Sequence, residues 1–323
     1  MRVKLGTFNL NNLFSRYNFK GEIDAVKQDD TGVDSQLTYE FGPGSFYKIR
    51  TYKGKLVQAK KPAESQKIAD RIANMDVDVL AVQEVEDIDT LRQFNRETLG
   101  GLYPHCVLIE GNDPRLIDIG VLSKLPLGAM SSWQAAVHPD DPTRLIFGRD
   151  LLEVQVLNPA RTRLLFTVFN NHLKSHYVDW RDDPVAGQKA NDERRLRQAQ
   201  VIADIVKQRT RPNSRYAIVG DMNDPVGSQC LSAFTQDKEL GLVDALADPQ
   251  ETRPPKDDTP PPATRAWTHR YKRSGQPAEY ELYDQIWVSE GLAAKQTEAW
   301  IDRRTKHGGD GSDHDPAWIT LEL

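Results

Sequence analysis

Six short polar clusters stand where strand-like stretches of the sequence meet loops. They carry side chains that bind metal ions and move protons: Thr7-Phe8-Asn9, Gln83-Glu84, Asn170-Asn171-His172, Asp221-Met222-Asn223, Asp284, and Ser312-Asp313-His314-Asp315-Pro316. A single polar residue at a strand end is usually a turn former or a satisfied polar group. Six such clusters are more than turns require. Strand ends on one side of a sheet lie close together, so we expect the clusters to form one site.

The residue types in these clusters favour a hard cation. Carboxylate and amide oxygens suit Mg²⁺ or Mn²⁺, and Mg²⁺ keeps water ligands and bridges to substrate phosphate. A zinc site would use more His and Cys. Cys106 and Cys230 show neither CxxC spacing nor a disulfide framework. We therefore expect Mg²⁺ (or Mn²⁺) as cofactor and a phosphate-bearing substrate.

Short apolar runs predict the strands that must position the clusters. Strands are expected at residues 2–10, 77–85, 103–109, 117–122, 127–133, 151–157, 163–170, 216–221, 263–269, 281–288 and 317–323. Helical spacing predicts helices at residues 64–75, 90–99 and 188–208. This is too many strands for a simple doubly wound sheet. It favours an α+β chain in which two sheets pack face to face with helices outside.

Domain organisation and location follow from composition. The chain has 323 residues, 38% of them hydrophobic, which suffices for a sizeable core, and no composition shift separates a second domain. We expect a single domain over residues 1–323. The net charge of -5 argues against a protein that coats nucleic acid through overall charge. No secretory signal or membrane-length apolar run stands in the sequence, so we expect a cytoplasmic protein that does not bind membranes.

A long insertion, at about residues 15–62, separates the first strand from the first helix. Its second half, residues 48–61, contains six basic residues and no acidic ones, and Lys53-Gly54 predicts a hairpin turn. A basic hairpin with aromatic residues can track a nucleic-acid backbone. A solvated hairpin that packs its aromatics on the protein explains the same pattern. The acidic first half opposes phosphate binding.

Basic residues also occur in two other places. Arg194, Arg195 and Arg197 share the 188–208 helix with acidic residues, a pattern typical of a salt-bridged outer face rather than a binding patch. Arg303, Arg304, Lys306 and His307 precede the turn at residues 308–311 that leads into the last polar cluster, so their loop is a candidate for contact with substrate.

In this order, the six clusters resemble the endonuclease/exonuclease/phosphatase superfamily, which includes DNase I, abasic-site endonucleases, sphingomyelinases, inositol-polyphosphate phosphatases and deadenylases. The resembling blocks are T-[WF]-N at Asn9, Q-E at Glu84, N-x-H-L at His172, G-D-x-N at Asp221 and Asn223, Y-D at Asp284, and S-D-H-x-P at Asp313 and His314. They run through nearly the whole chain. The resemblance implies a DNase I-like, four-layer α/β/β/α sandwich of two packed, mostly antiparallel sheets with helices outside.

The resemblance also implies which residues bind the metal and move the proton. Glu84, with Asn9 and Asp313 nearby, would hold the metal ion, which neutralises phosphate charge. His314, oriented by Asp284, would be the general base that takes a proton from water.

Three further residues have implied roles in the reaction. Asp221 would position or activate the same water, and the sequence leaves open whether Asp221 or His314 deprotonates it. Asn223 would donate to a phosphate oxygen. His172 would place a second imidazole on the phosphate and stabilise charge in the transition state.

Four residues are further candidates for phosphate contact. Arg115 and Asp118, before the strand IGVLSK, resemble a superfamily block whose Arg and Asp lie close to the site. Asn171 stands next to His172. Lys174 follows the same strand, although a solvated lysine explains it equally well.

The resemblance thus implies a metal-dependent phosphoesterase, and favours a phosphodiesterase or nuclease that hydrolyses P–O bonds by metal-assisted attack of water, with DNA or RNA as partner. One alternative is a sphingomyelinase-like or small-molecule phosphatase, but the sequence shows no exposed apolar hairpin for a bilayer. Another is a non-catalytic binding module on the same fold. Such a module would lack catalytic residues, whereas all are present here.

Overall fold

Two large β-sheets form the body of the protein in a computed structural model. The structure describes residues 1–15, 51–52, 55–56, 60–211, 213–253, 262–305 and 309–323. Most of the predicted insertion, and the turn at Lys53-Gly54, lie outside these residues. The part that is described includes a two-stranded antiparallel ribbon of β2 (Thr51–Tyr52) and β3 (Lys55–Leu56).

The first large sheet combines strands from both ends of the chain. Its strands are β1 (Arg2–Leu13), β4 (Val79–Val85), β5 (His105–Leu108), β6 (Asp118–Ser123), β14 (Gln250–Glu251), β18 (Gln296–Ile301) and β19 (Ala317–Glu322). They are ordered β14-β18-β19-β1-β4-β6-β5. The β1–β4 and β14–β18 pairs are parallel and the others antiparallel.

The second large sheet contains the middle of the chain. Its strands are β7 (Leu127–Ser132), β10 (Leu151–Leu157), β11 (Leu164–His172), β12 (Tyr216–Asp221), β13 (Leu242–Asp244) and β17 (Asp284–Ser289). They are ordered β13-β17-β12-β11-β10-β7, and the β11–β12 pair is parallel while the others are antiparallel. Mostly antiparallel pairing in both sheets confirms the predicted fold class.

Two smaller ribbons and the helices complete the fold. The ribbons are β8 (Val137–His138) with β9 (Asp141–Leu145), and β15 (His269–Lys272) with β16 (Ala278–Glu281). The helices are α1 (Pro62–Met75), α2 (Ile88–Gln93), α3 (Pro184–Arg209), α4 (Ser232–Thr235) and α5 (Glu290–Ala293), with a π-helical turn at Phe94–Thr98 and a 3-10 turn at Gln229–Leu231. Helix α3 begins earlier than its spacing predicts, because Pro184 suits the first helical position and Asp183 accepts from the backbone N–H of Ala186.

Three clusters of buried apolar side chains hold the layers together. The central cluster lies between the sheets and joins residues such as Leu5, Val121 and Val168. A second cluster packs α3 on the outer face of the second sheet, and a third packs α1 on the outer face of the first sheet. The order of layers is therefore helix, sheet, sheet, helix, as the resemblance implies. Within the described residues, no helix is both long enough and apolar enough to span a membrane.

One predicted strand, at residues 263–269, is wrong over most of its length. The backbone there is irregular until β15 begins at His269. Two of its carbonyl groups are satisfied by a side chain instead of a neighbouring strand. The guanidinium of Arg303 donates to the carbonyl oxygens of Arg265 and Trp267, at 2.5 Å each, and lies 3.7 Å from the centre of the Trp267 ring. A buried arginine thus replaces the sheet partner that the apolar pattern suggests.

Candidate active site

The polar clusters meet between the two sheets, with the Asp221 carboxylate at their centre. Asn9, the last residue of the first sheet's β1 before its pairing with β4 shifts register, donates from Nδ2 to Asp221 Oδ2 at 2.9 Å. The Nε2 atoms of His172 and His314 lie 3.5 Å and 3.8 Å from the same oxygen. Nε2 of His172 is also 4.0 Å from Oε1 of Glu84. Five of the predicted clusters therefore contribute directly to one group of contacts.

Strand direction explains why these segments meet. In the second sheet, Asp221 at the end of β12 pairs with His172 at the end of the parallel β11 and with Asp284 at the start of the antiparallel β17. Between the sheets, Gln83 donates to Asn170 Oδ1 at 2.8 Å, and Asn170 donates to the Gly120 carbonyl at 2.8 Å. This buried amide pair joins the sheets directly beside the site.

Unusual backbone conformations turn two of the clusters into place. Glu84 has a φ of 61°, and the pairing of β4 with β6 shifts register between Gln83 and Val85. Such an irregularity re-aims a side chain at a strand end. Gly220 has a φ of 134°, and a β-carbon there would lie 1.9 Å from the carbonyl oxygen of Asn171. Only glycine allows β11 and β12 to approach so closely before Asp221.

His314 forms a buried pair with Asp284. Its Nδ1 atom lies 2.6 Å from Oδ2 of Asp284, which is fully buried at the base of β17. Burial alone would lower the pKa of His314, but the carboxylates of Asp284, Asp221 and Asp313 raise it well above its ordinary value. In the protein without metal, these three carboxylates therefore favour the protonated imidazole.

The carboxylates of Asp221 and Asp313 lie close enough to Glu84 for their charges to act on it. Burial raises the pKa of Glu84, and the charges of Asp313 and Asp221 raise it further. Burial also raises the pKa of Asp221, against the influence of His314. Mutual repulsion of this kind is relieved by a divalent cation, so the donor set fits one. The Asp313 side chain is 55% exposed and opens toward solvent.

Asn9 reaches the site in an orientation different from that of a metal ligand. Its oxygen accepts from the backbone N–H of Asn11 at 2.9 Å, while its Nδ2 faces Asp221 and lies 3.3 Å from Oε1 of Glu84. Asn9 thus presents an N–H donor, rather than an oxygen, to the carboxylates. In this arrangement it positions Asp221 and Glu84.

His172 is the neutral histidine of the site. It is fully buried, and burial, together with the nearby charges of Arg149 and His314, lowers its pKa well below the ordinary value. Its Nδ1 has no hydrogen-bond partner among the described residues. A neutral imidazole still offers one N–H donor.

The two asparagines of the neighbouring clusters differ in position. Asn223 is partly exposed at the site, and its Nδ2 donates to the Leu173 carbonyl at 3.1 Å. Asn171 is fully buried, and its Nδ2 donates to the Val219 carbonyl at 2.9 Å. Successive strand residues point to opposite faces, so Asn171 cannot share the direction of His172. The structure does not bring Asn171 to a position where it could contact phosphate.

The other candidates for phosphate contact lie beside the site. Arg115 binds Asp113 through Nε at 3.1 Å and Nη2 at 3.0 Å. Asp118 is buried and accepts from the Gly111 N–H at 2.8 Å, and burial raises its pKa to about 7. Lys174 donates to the carbonyls of Ser175 and Tyr177, and burial, with nearby arginines, lowers its pKa to about 8. Its ammonium is therefore turned toward its own loop.

The sequence did not indicate Arg149, a buried cation next to these groups. Its Nε lies 3.2 Å from Oδ2 of Asp113, and its Nη1 donates to the Leu173 carbonyl at 3.1 Å. Glu84 and Asp221 both interact with its charge. Arg149 precedes β10, which runs antiparallel to β11 and pairs Leu151 with Asn171. The start of one strand therefore lies at the same edge as the end of the other, a signal that attention to strand ends alone misses.

His269 and Lys60 are two further residues that the motifs did not single out. The His269 ring lies between His314, at 5.0 Å between centroids, and Tyr283, at 5.1 Å. Burial, with the charge of His314, lowers the pKa of His269 to about 4. Lys60 donates to the Asn11 carbonyl at 2.5 Å, and its ammonium interacts with Glu84 and Asp313. The end of the basic 48–61 segment thus approaches the carboxylates.

The arginines near the last polar cluster have a structural position. Asp315 is fully buried and forms ion pairs with Arg71 at 3.1 Å, Arg303 at 3.3 Å and Arg304 at 3.1 Å. Arg303 and Arg304 are themselves buried, so the expected substrate contact is wrong for these two residues, while Lys306 and His307 of the same loop lie outside the described residues. Arg303 and Arg304 instead fix the loop that carries Asp313 and His314.

Arg195 likewise departs from the expected outer helix face. It is fully buried and donates to Asp224 Oδ2 at 2.7 Å and to the Lys174 carbonyl at 2.9 Å, and it also pairs with Asp192. Asp192, Asp224 and Cys230 lie close enough together to suggest a metal site. The guanidinium of Arg195 already supplies the positive charge between the carboxylates of Asp192 and Asp224. These residues therefore form two carboxylates bridged by an arginine.

Solved structures share this fold across nearly their whole length. An endonuclease/exonuclease/phosphatase from Bacteroides vulgatus aligns with a TM-score of 0.60 at 14% identity, covering 100% of this chain and 99% of that one. A mannosyl-6-phosphatase from Bacteroides thetaiotaomicron and an AP endonuclease from Archaeoglobus fulgidus each align with a TM-score of 0.58 at 15% identity, covering 99% of this chain and 100% of theirs. At such identities the likeness concerns the fold alone. No curated protein sequence gives a significant match.

A sequence model of one protein family matches most of the chain. The model is that of the Endonuclease/Exonuclease/phosphatase family, and it covers residues 6–314. This range extends from the first strand to His314 and includes every polar cluster that meets around Asp221. The chain therefore belongs to the endonuclease/exonuclease/phosphatase family.

Proposed function

We propose that the protein is a metal-dependent phosphodiesterase that acts on nucleic acid, with Mg²⁺ or Mn²⁺ as its cation. The observation that carries this proposal is the surrounding of Asp221 Oδ2, with Asn9 Nδ2 at 2.9 Å and the His172 and His314 Nε2 atoms at 3.5 Å and 3.8 Å. A carboxylate between two imidazoles can accept a proton while N–H groups face an anionic substrate.

Glu84 and Asp313 are the residues that would hold the cation. Asn9, beside them, fixes the direction of the Glu84 carboxylate, and its own oxygen would join the cation only by turning away from Asn11. A bound divalent cation would neutralise charge on the phosphate and on the leaving oxygen.

Asp221 and His314 divide the proton transfers in our proposal. The raised pKa of Asp221 makes it a better acceptor for the proton of the attacking water. His314, a cation through its three carboxylate neighbours, donates toward the phosphate and can protonate the leaving oxygen as the P–O bond breaks. Asp284 keeps the His314 ring in place through Nδ1.

Positive charge on the other side of the site would hold the phosphate. His172 offers an N–H, and Arg115 and Arg149 share the single carboxylate of Asp113, so this group retains a net positive charge. Asn223, partly exposed at the same edge, can donate its second amide hydrogen. These groups match the charge that develops on phosphate oxygens in the transition state.

Nucleic acid is the substrate class that we favour. Lys60, near the end of the basic 48–61 segment, interacts with the carboxylates of Glu84 and Asp313, and one of the similar folds is described as an AP endonuclease. A small-molecule phosphatase is the competing assignment, because another similar fold is described as a mannosyl-6-phosphatase. The two differ in the esters they should cleave.

Hydrolysis of model esters tests the proposal. Bis-p-nitrophenyl phosphate, p-nitrophenyl phosphate and labelled single- and double-stranded DNA and RNA should be assayed with Mg²⁺, with Mn²⁺ and with chelator. We expect cleavage of the diester and of a nucleic acid, and loss of both with chelator. Cleavage of the monoester alone would favour the phosphatase, and no cleavage of any ester with metal present would contradict the proposal.

Two variants connect this activity to the site. His314→Ala and Glu84→Ala should each lower the rate by about 100- to 10,000-fold. His105→Ala, on the edge strand β5, and Glu239→Gln, on the exposed surface, are matched controls that should retain full activity.

A further inference from the structure

A cavity of about 500 Å³ lies next to the candidate active site, between helix α3 and the β8–β9 ribbon. Its walls include four basic side chains. They are Arg144 from β9, Arg194 and Arg197 from α3, and Lys174 from the loop that follows His172. The acidic residues in the walls are Asp141 and Glu193. The cavity therefore has a net positive charge.

The three arginines of the cavity have weak partners within the described parts of the chain. Arg144 and Arg197 lie 3.9 Å and 4.0 Å from the Asp141 carboxylate, beyond hydrogen-bond distance. The guanidinium of Arg194 reaches only the Ile146 carbonyl, at 3.4 Å through both Nε and Nη2. The charge of Arg144 lowers the pKa of Arg194, so the two cations repel each other. An anion between them would remove that repulsion.

Contacts through the 148–149 segment join the cavity to the active site. A β-carbon built on Gly148 would lie 3.8 Å from Arg194 Nη2 and 3.9 Å from Asp113 Oδ2. Asp113 is the carboxylate that pairs with Arg115 and Arg149. This cavity and the groups expected to hold the scissile phosphate are therefore separated by a single layer of residues.

We propose that this cavity is a second phosphate subsite, which binds a phosphate group of the substrate other than the one that is hydrolysed. The proposal rests on the proposed phosphoesterase function and names what its substrate must contain. Arginine side chains with free N–H groups bind phosphate oxygens in pairs and carry a permanent charge. The second phosphate can belong to the next nucleotide of a nucleic acid or to a small bisphosphate.

Paired chromogenic esters test the subsite. One is the p-nitrophenyl ester of thymidine 5′-phosphate, and the other is the same ester with an added 3′-phosphate. We expect the added phosphate to lower KM by about tenfold in the wild-type protein, and this advantage to disappear in Arg194→Met and Arg197→Met. In Lys189→Met, an exposed lysine of the same helix that does not line the cavity, the advantage should persist. An equal advantage in all four proteins would overturn the proposal.

A binding measurement separates failure of the subsite from failure of the proposed function. Calorimetric titration with inorganic phosphate needs no hydrolysis. We expect the Arg194→Met/Arg197→Met variant to lose a phosphate-binding event that the wild type and Lys189→Met show, even if no ester is cleaved. Identical titrations of all three proteins would overturn the subsite. To distinguish the two sources of the second phosphate, pTpT and fructose 1,6-bisphosphate serve as competitors of ester hydrolysis. The source is identified by the compound that inhibits the wild type better and whose inhibition is weaker in the double variant.

Discussion

Nδ1 of His314 lies 2.6 Å from Oδ2 of Asp284, although 30 residues separate them in the chain. The contact exists because Asp284 starts a strand that runs antiparallel to β12, so the start of β17 meets the end of β12 at Asp221. It fixes the ring with Nε2 directed toward Asp221. The orientation of this imidazole therefore depends on one buried carboxylate, which also helps to raise its pKa.

Asp284→Asn should lower kcat for bis-p-nitrophenyl phosphate by about 100- to 10,000-fold. Asparagine keeps the shape of the side chain but removes the charge that keeps His314 protonated and oriented. Steady-state kinetics at saturating metal measure the effect, and Asp248→Asn on the exposed surface is the matched control. A kcat close to that of the control would refute the role of the pair.

Removal of the cation should weaken the protein as well as inactivate it. Because Glu84, Asp221 and Asp313 repel one another, Mg²⁺ or Mn²⁺ at about 100 times its Kd should stabilise the fold by about 2.7 kcal/mol relative to chelator. Differential scanning calorimetry reads this as a rise in Tm. Glu84→Gln should lose most of the rise, and Glu239→Gln none. A full rise in Glu84→Gln would exclude Glu84 as a ligand.

Arg149→Met should lower kcat/KM by about 100- to 1,000-fold, because a buried positive charge next to the phosphate position is lost. Asp113 keeps Arg115 as a partner, so the variant should still fold. Arg96→Met replaces an exposed arginine paired with Glu97 and serves as the control. Circular dichroism establishes that both variants are folded before kinetics are compared. If both variants have the same kcat/KM, Arg149 has no part in the reaction.

Asp118→Asn should make the protein more stable at pH 8 than the wild type. The pKa of Asp118 is raised to about 7 by burial, above the ordinary value of about 4 for an unfolded aspartate. The folded state therefore holds the proton more tightly, and this contribution is present at pH 4 and is lost as the pH rises to about 7. Asparagine does not ionise, so the variant avoids this loss of folding free energy, which is at most about 4 kcal/mol.

Urea denaturation at pH 4 and at pH 8 measures this difference. We expect the stability gap between Asp118→Asn and the wild type to open between these two values and to stay constant at higher pH. A gap that does not change with pH would show that burial does not raise the pKa of this carboxyl.

Asp315→Asn should destabilise the fold by about 3–5 kcal/mol, because three buried guanidinium groups lose a shared carboxylate. Since Asp315 directly follows His314, activity should fall with stability. The urea midpoint of this variant, compared with that of Asp248→Asn, is the measurement. A midpoint shift equal to that of the control would mean that the arginines are neutralised elsewhere.

The sequence predicts the parts of this site that depend on short motifs. Asn9, Glu84, Asp221 and His314 lie close together because the sheet order brings the segments that carry them to one edge. The sequence does not predict which strands pair, because the alternation of apolar residues does not indicate which strands are neighbours. The position of Arg149 beside the site depends on that pairing, so the sequence alone does not predict it.

Two wrong expectations have local physical causes. Adjacency to His172 in the sequence suggests that Asn171 contacts the same phosphate. Adjacent strand residues face opposite ways, however, so the strand pattern itself argues against this contact. Residues 263–269 have the composition of a strand, but their carbonyls are satisfied by Arg303, nearly 40 residues later in the chain. No local sequence pattern indicates that a distant arginine side chain replaces a neighbouring strand.

The position of β19 between β18 and β1 in the first sheet affects how a nascent chain can fold. Strand β1 is made before β19, and its partner at residues 317–322 leaves the ribosome only after about 300 further residues. At about 5–20 residues per second, the β19 side of β1 therefore has no native partner for roughly 15–60 seconds. Ribosome-bound chains stalled before residue 317 should be cut by protease within β1, whereas released full-length chains should resist. During synthesis, this edge of β1 therefore stays open until β19 has been made.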